Sequence, residues 1–244
     1  MDTILSLFHT IFSQPLFNAL VFLTGQMPFH DLGLAIIILT ILVRFIIFPF
    51  THRSIVTQIQ MRKIEPEIKK IRETHKNNQQ EIAQKTMALY KAHGVSPFSG
   101  CLMLLIQFPV LIALYTVFIN SIPDSAHTLY SFVILPEMIN VHFLSLVNLT
   151  KASFVIAFLA GLSQFIQMRL AIPPSTEKKT TNASEDITKR FMKQAQYIFP
   201  VFIIVISLRF PAALALYWTT SNIFAILHEG VVRKRAFVLA KAKE

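Results

Sequence analysis

Long apolar runs alternate with basic, polar stretches along this chain. Residues 32–50, LGLAIIILTILVRFIIFPF, are apolar except for Thr40 and Arg44. At about 1.5 Å per residue a helix of this length reaches roughly 28 Å, close to the thickness of a bilayer core. Residues 97–119 predict a second span, with Gln107 and Pro109 near its middle, and residues 152–170 a third, carrying Ser163, Gln164 and Gln167. Residues 197–208 predict a fourth helix of only about 18 Å. So short a span implies a locally thin bilayer or a buried position. After a turn at Arg209, Phe210 and Pro211, residues 212–232 return as the fifth. The pattern predicts an all-α, polytopic membrane protein with five transmembrane helices.

The intervening stretches have their own periodicities. Thr3, Ser6, His9, Thr10, Ser13 and Gln14 recur at helical steps and form one polar face, and Pro15 interrupts the run. This predicts an amphipathic helix lying in the membrane interface, with a linker to residue 31. Residues 51–93 form a basic excursion with Arg53, Arg62, Lys63, Lys69, Lys70, Arg72, Lys76, Lys85 and Lys91. Ile55, Ile59, Ile64, Ile68, Ile71, Ile82 and Leu89 keep helical spacing through it, and HKNNQQ (75–80) reads as a turn. Two antiparallel helices outside the membrane follow, with Pro66 kinking the first. Residues 120–151, with Pro123 and Pro136, read as an irregular apolar loop with short interfacial helices. Residues 172–193 read as a polar loop, its EKKTTNASED stretch flexible. The organisation is thus an interfacial segment (1–31), a five-span core (32–235) that includes the hairpin, and a basic tail (236–244).

Composition agrees with this. The chain has 244 residues, 53% hydrophobic and 15% charged, against about 25% charged in soluble domains. The net charge of +10 falls in blocks between apolar runs, so it points to membrane topology and not to a nucleic-acid substrate. The basic blocks are 51–93, 172–193 and the tail. None precedes residue 32, and Lys151 is alone in 120–151. The basic side is the cytoplasmic side, which predicts the N-terminus outside, the C-terminus inside, and Arg44 in the cytoplasmic half of its span. Cys101 is the one cysteine, so no disulfide within the chain and no cysteine metal cluster is expected. No metal or cofactor is expected either. The N-terminus lacks the basic start of a signal peptide. No GxxxxGK[ST] loop, HExxH or serine-protease pairing is present, which argues against a nucleotide-driven pump or a protease.

The candidate chemistry is polar and lies within the spans. Thr40 and Arg44 are four apart and share a helix face. Arginine cannot shed its charge, and a charge at membrane depth needs water or a partner. The plain alternative is that Arg44 snorkels to the nearer interface. Gln164 and Gln167 share a face of the third span. Tyr217, Trp218, Thr219, Thr220, Ser221 and Asn222 form a block too polar for a lipid-facing helix, suited to joining helices or lining a wet cavity.

This order of features resembles the YidC-type membrane protein insertase family of bacteria. LVRFIIFPF (42–50) is similar to the family's arginine span, and MRKIEPEIKKI (61–71) to its cytoplasmic hairpin. LYKAHGVSPFSGCLMLLIQFPVLIALY (89–115) is similar to its second span, and ALALYWTTSNIF (213–224) to its last. The match runs over residues 32–235. It departs at Met103, where the family often has proline, and the chain reads as a minimal core without a lipoprotein signal or large external domain. The resemblance implies a hydrophilic groove open to the cytoplasm and to lipid and closed to the outside. It would hold Arg44 and Thr40 and be lined by Gln164 or Gln167 with Tyr217, Trp218, Ser221 and Asn222. Arg62, Lys63, Lys69, Lys70 and Arg72 of the hairpin would capture substrate. The implied partners are nascent membrane proteins, the ribosome, membrane lipids and, as a further candidate, the Sec translocon. The implied activity is non-enzymatic insertion and chaperoning in the bacterial plasma membrane. A different class remains open: a small channel or transporter with Arg44 as an anion site. Against it stand the absence of an internal repeat and of Asp or Glu within the spans. A third reading is a passive structural subunit.

Overall fold

A computed structural model describes residues 6–75, 78–96, 99–119, 126–171 and 183–241. A π-helical turn, His9–Ser13, leads into α1, Gln14–Gln26. Then follow α2, Leu32–Lys63; α3, Glu65–Thr74; α4, Gln79–Ala92; and α5, Ser99–Ile119. The last three helices are α6, Phe154–Ala171; α7, Ala183–Ser207; and α8, Ala212–Lys241. Among the described residues, Ser6–Gln26, Leu32–Lys63 and Phe154–Ala171 are long and apolar enough to cross a membrane. Gln107–Phe118 and Gln194–Ser207 are shorter apolar stretches.

Several helices outrun their predicted spans. α2 passes through Pro49 and continues to Lys63, and the break comes at Ile64. Pro66 explains its place: without an N–H it cannot bond the Arg62 carbonyl, yet it is tolerated in the first turn of α3. α7 begins at Ala183, inside the stretch expected to be a loop, and α8 extends through the expected tail to Lys241. A change from apolar to polar side chains ends a membrane span, but it does not end a helix. Lys76, residues 120–125, residues 172–182 with Lys178 and Lys179, and Lys243 lie outside the described residues. The predicted irregular loop holds a short antiparallel ladder, β1 (His142–Phe143) with β2 (Val147–Asn148).

The chain divides into two compact units, Met1–Phe45 with Pro109–Glu229, and Ile46–Phe108 with Gly230–Glu244. The first has a core of Phe17, Leu20 and Val21 from α1, Ile36 and Leu39 from α2, Leu114 from α5, Ala160 from α6, Ile203 from α7 and Ala213 from α8. Helix association inside lipid relies on close packing, because lipid tails are as apolar as leucine. Gly161 shows this. A Cβ there would strike the Ile204 side chain and lie 2.9 Å from the Pro200 carbonyl oxygen, so α6 meets the backbone of α7 directly.

A segment from residue 126 to 151 caps one end of this unit through backbone chemistry. Helix N-termini leave amides without intrahelical partners. Asp31, buried at 5% exposure, accepts from Gly33 N at 2.7 Å and Leu34 N at 3.1 Å with Oδ1, capping α2. Its Oδ2 accepts from Leu144 N at 2.9 Å. The Asn140 carbonyl accepts from Leu32 N at 3.0 Å, and the carbonyls of Lys151 and Leu149 accept from Ala212 N and Ala213 N at 2.9 and 3.1 Å. The polar side of α1 is used here as well. Asn18 accepts from Tyr130 N at 2.6 Å and donates to Thr128 O at 3.1 Å, and Gln14 donates to the same oxygen at 3.0 Å. Phe29, His30, Leu144 and Ser145 have φ of 55°, 49°, 50° and 60°, a conformation that costs an L-residue about 1–2 kcal/mol.

The second unit contains the hairpin. Ile64, Ile68 and Val95 form its small core, with Met61, Leu89 and Tyr90 packed against it. Gly94, at φ 62°, ends α4 in a left-handed turn in which Val95 N donates to Tyr90 O at 3.0 Å. At the tip Asn78 caps α4 by accepting from Glu81 N at 3.1 Å. Lys85 Nζ lies 3.0 Å from Glu81 Oε1, and its hydrogen bond holds the Glu81 carboxyl below its ordinary range; desolvation opposes this, and the charges of His75 and Lys85 add to the lowering.

Asp31→Ala removes a cap worth about 1 kcal/mol and orphans Leu144 N–H, a further loss of about 1–3 kcal/mol. A lower melting temperature in detergent is expected, with Asp31→Asn falling between the two. A melting temperature equal to the parent's would show that the cap does not hold the segment.

Candidate functional site

The polar residues predicted from the spans converge in the first unit. α2 presents Thr40 and Arg44 one turn apart, and both are buried. Thr40 Oγ1 donates to Ile36 O at 2.6 Å, so its hydroxyl proton is used within its own helix. Thr219 and Thr220 do the same, donating to Ala215 O and Leu216 O at 2.8 and 2.9 Å. These threonines hide their polarity in the helix backbone.

Arg44 cannot do that. It is 8% exposed, and its Nε donates to Ser221 Oγ at 2.8 Å. A guanidinium has five N–H donors in a fixed fork. Among the described residues Ser221 is its hydrogen-bond partner, and no carboxylate lies within ion-pair distance. The cation is thus buried and tethered, and among the described residues one side-chain hydrogen bond meets it.

α8 connects this cation to α6. Asn222, adjacent to Ser221, donates through Nδ2 to Ser163 Oγ at 3.1 Å and to Gln164 Oε1 at 3.2 Å. Trp218, one turn earlier, donates through Nε1 to the same Gln164 oxygen at 2.7 Å. Gln164 in turn donates through Nε2 to Gln167 Oε1 at 3.3 Å. Gln164 is therefore the hub and Gln167 the outer member, an ordering that spacing along α6 leaves open. Tyr217, 2% exposed, packs with the apolar core and is close enough to Arg44 to interact with it electrostatically. One turn of α8 thus reaches two neighbouring helices, with Ser221 on α2 and Trp218 and Asn222 on α6.

The hairpin cations are in the second unit. Lys63 and Lys70 are exposed, while Arg62, Lys69 and Arg72 are half-buried and engaged in contacts of their own. They share the hairpin with the apolar positions Ile64 and Ile68.

Ser163, a polar residue of the predicted third span that was not among the expected groove residues, bonds Asn222. Asp31 was taken as part of a linker, although an acid two residues before a glycine at a helix start is a capping signal. Glu229 lies within the predicted fifth span and is 3% exposed, which corrects the expectation that no acid falls inside a span. The carboxylate is engaged with a partner.

Comparison with known proteins follows the same segments. Residues 23–238 match the family described as 60Kd inner membrane protein. The chain is 32% identical over 225 residues to a membrane protein insertase YidC of Campylobacter jejuni, covering 92% of this chain and 38% of that protein. It is 32% identical over 206 residues to a membrane protein insertase YidC of Fusobacterium nucleatum, covering 84% of this chain and 87% of that protein. A protein of the same name from Oceanobacillus iheyensis is 30% identical over 235 residues, with 93% and 84% covered. The chain therefore spans well under half of the Campylobacter relative and most of the other two.

Gln164→Leu leaves the Trp218 donor without its acceptor, an expected loss of about 1–3 kcal/mol, and takes one of two acceptors from Asn222, which keeps Ser163. In a double-mutant cycle with Trp218→Phe, measured by unfolding in detergent, the combined loss should be smaller than the sum. Additive losses would show that the two side chains are not coupled.

Proposed function

The chain belongs to the 60Kd inner membrane protein family, and on that premise we propose that it is an insertase, delivering nascent membrane proteins into the bilayer. It is a multi-pass bacterial membrane protein. The observation that carries the proposal is Arg44: a buried guanidinium that, among the described residues, is held by the Ser221 hydroxyl through one of its five donors.

A nascent segment that must cross lipid brings polar groups, each costing several kcal/mol (roughly) if unsatisfied in hydrocarbon. A polar surface within the membrane lowers that barrier by meeting those groups part of the way across. In this reading Arg44 attracts acidic groups of the crossing tail, and Ser221 keeps the side chain from retreating to the interface. Gln167, the outer end of the amide chain, meets the incoming backbone, while Gln164, Trp218 and Asn222 hold the helices that frame the surface. The tail passes on, and the apolar segment partitions sideways into lipid. No bond of the substrate is made or broken, so the activity is not enzymatic.

The hairpin would receive the chain first. Lys63 and Lys70 offer charge to water, while Ile64 and Ile68 close the hairpin's own core and so hold these cations in place. The same cations suit anionic lipid or a ribosome. The proposed orientation places the N-terminus outside and the hairpin and C-terminus in the cytoplasm, on the charge asymmetry.

Two experiments test these readings. In reconstituted insertion with paired acidic-tail and neutral-tail substrates, Arg44→Lys should keep most activity, because an ammonium also attracts carboxylate. Arg44→Ala and, more severely, Arg44→Glu should slow the acidic tails and affect the neutral ones less. Replacing Arg62, Lys63, Lys69, Lys70 and Arg72 with glutamine should weaken capture in the same assay. Undiminished insertion of both tails by Arg44→Ala would remove Arg44 from the mechanism, and a steady conductance without substrate would favour an anion channel. Topology is read by thiol labelling on a Cys101→Ser background: cysteines at positions 76 and 179 should react only from the cytoplasmic side, and labelling from outside would reverse the assignment.

A further inference from the structure

The capped end of the first unit exposes large apolar side chains. Phe29 is 88% exposed, Leu144 56% and Leu146 82%. Phe132, Ile134 and Met138 on the same capping segment are exposed at 73%, 84% and 80%. Grouped exposure of this kind marks a contact surface and is uncommon as plain water-facing surface.

Phe29 and Leu144 carry an independent mark. Both have positive φ, where glycine or asparagine is relaxed and a bulky apolar residue is strained. The strain is held in place by one acid. Asp31 lies two residues after Phe29, and its carboxylate accepts from the Leu144 amide. The His30 carbonyl accepts from Asn140 N at 3.1 Å, tying the two tips together through backbone. At such exposure these side chains gain little packing within the chain, so the contact that suits them lies outside it.

We propose that Phe29, Leu144 and Leu146 form an apolar anchor that enters the boundary between headgroups and acyl chains of the adjoining leaflet, setting the depth at which the capping segment rides. The occupant is lipid on two grounds. Residues 126–150 contain one acid, Glu137, and no Lys or Arg, so the segment offers little charge for a soluble partner. α6, which starts just after the segment and is long and apolar enough to cross a membrane, also exposes Phe154, Val155 and Phe158. An aromatic ring and branched aliphatic side chains suit that boundary zone. The anchor rests on reading the chain as membrane-spanning, and it requires no insertion activity.

The test uses the full chain in lipid nanodiscs, with Phe29→Cys or Leu144→Cys on a Cys101→Ser background, labelled with a polarity-sensitive fluorophore. Gln84→Cys, at an exposed position of the hairpin, gives the aqueous reference. Both tip probes should emit to the blue of the reference, be quenched by lipids carrying a nitroxide near the headgroup, and resist iodide. Spectra and iodide quenching equal to the reference would overturn the anchor. So would shielding seen in native membranes and absent from nanodiscs, which would assign the surface to a protein partner. In a second variant, Leu144→Asn with Leu146→Asn removes the apolar tip while keeping a residue that accepts positive φ, and a melting curve checks its fold. The Phe29 probe should then shift to the red and gain iodide quenching, and an unchanged probe would overturn a shared anchor. Insertion is not read in these measurements, so their failure is distinct from failure of the insertase reading.

Discussion

A charge that cannot be discharged, placed among apolar helices, sets the terms for the first unit. Arg44 must be met by protein, water or a guest. Ser221 meets it once. That bond joins α2 to α8, and the adjacent Asn222 joins α8 to Ser163 and Gln164 of α6. Three helices are therefore held together at one polar layer. In lipid the hydrophobic effect does not draw helices together, so such bonds and the close contact at Gly161 supply what a soluble core obtains from water.

The capped end obeys the same rule by another route. The free amides at the starts of α2 and α8 are met by carbonyls of residues 140, 149 and 151 and by the Asp31 carboxylate. An acid at a helix N-terminus is also favoured by the helix dipole. The capping segment thus satisfies both helices at once, and its strained turns at Phe29 and Leu144 persist because the surrounding bonds determine them.

The hairpin is held by simpler means. Its core is small, built on Ile64, Ile68 and Val95, and its ends are closed by local devices: the Asn78 cap and the Gly94 turn. Its Lys63 and Lys70 are exposed, whereas the buried Arg44 of the first unit organises its surroundings. The polarity of each unit follows from its solvent.

The sequence alone determined the apolar helices, the basic hairpin and the polar residues worth watching. A nineteen-residue run apolar except for Thr40 and Arg44, a helical spacing of isoleucines and a hydroxyl-amide block each follow from local pattern. It also identified Arg44, because arginine has no neutral form to fall back on. Only the tertiary structure decided which polar groups meet. Thr40 and Ser221 are both hydroxyls on predicted site faces, yet one bonds its own helix and the other bonds Arg44. Gln164 and Gln167 share a face, and the approach of Trp218 and Asn222 makes Gln164 the hub. The reach of α2 to Lys63 and of α8 to Lys241, and the role of Asp31, were likewise hidden. Helix ends depend on partners for terminal amides, and those partners come from distant parts of the chain, such as Asn140 for Leu32 and Lys151 for Ala212. Local pattern records what a residue needs, and the fold decides which neighbour supplies it.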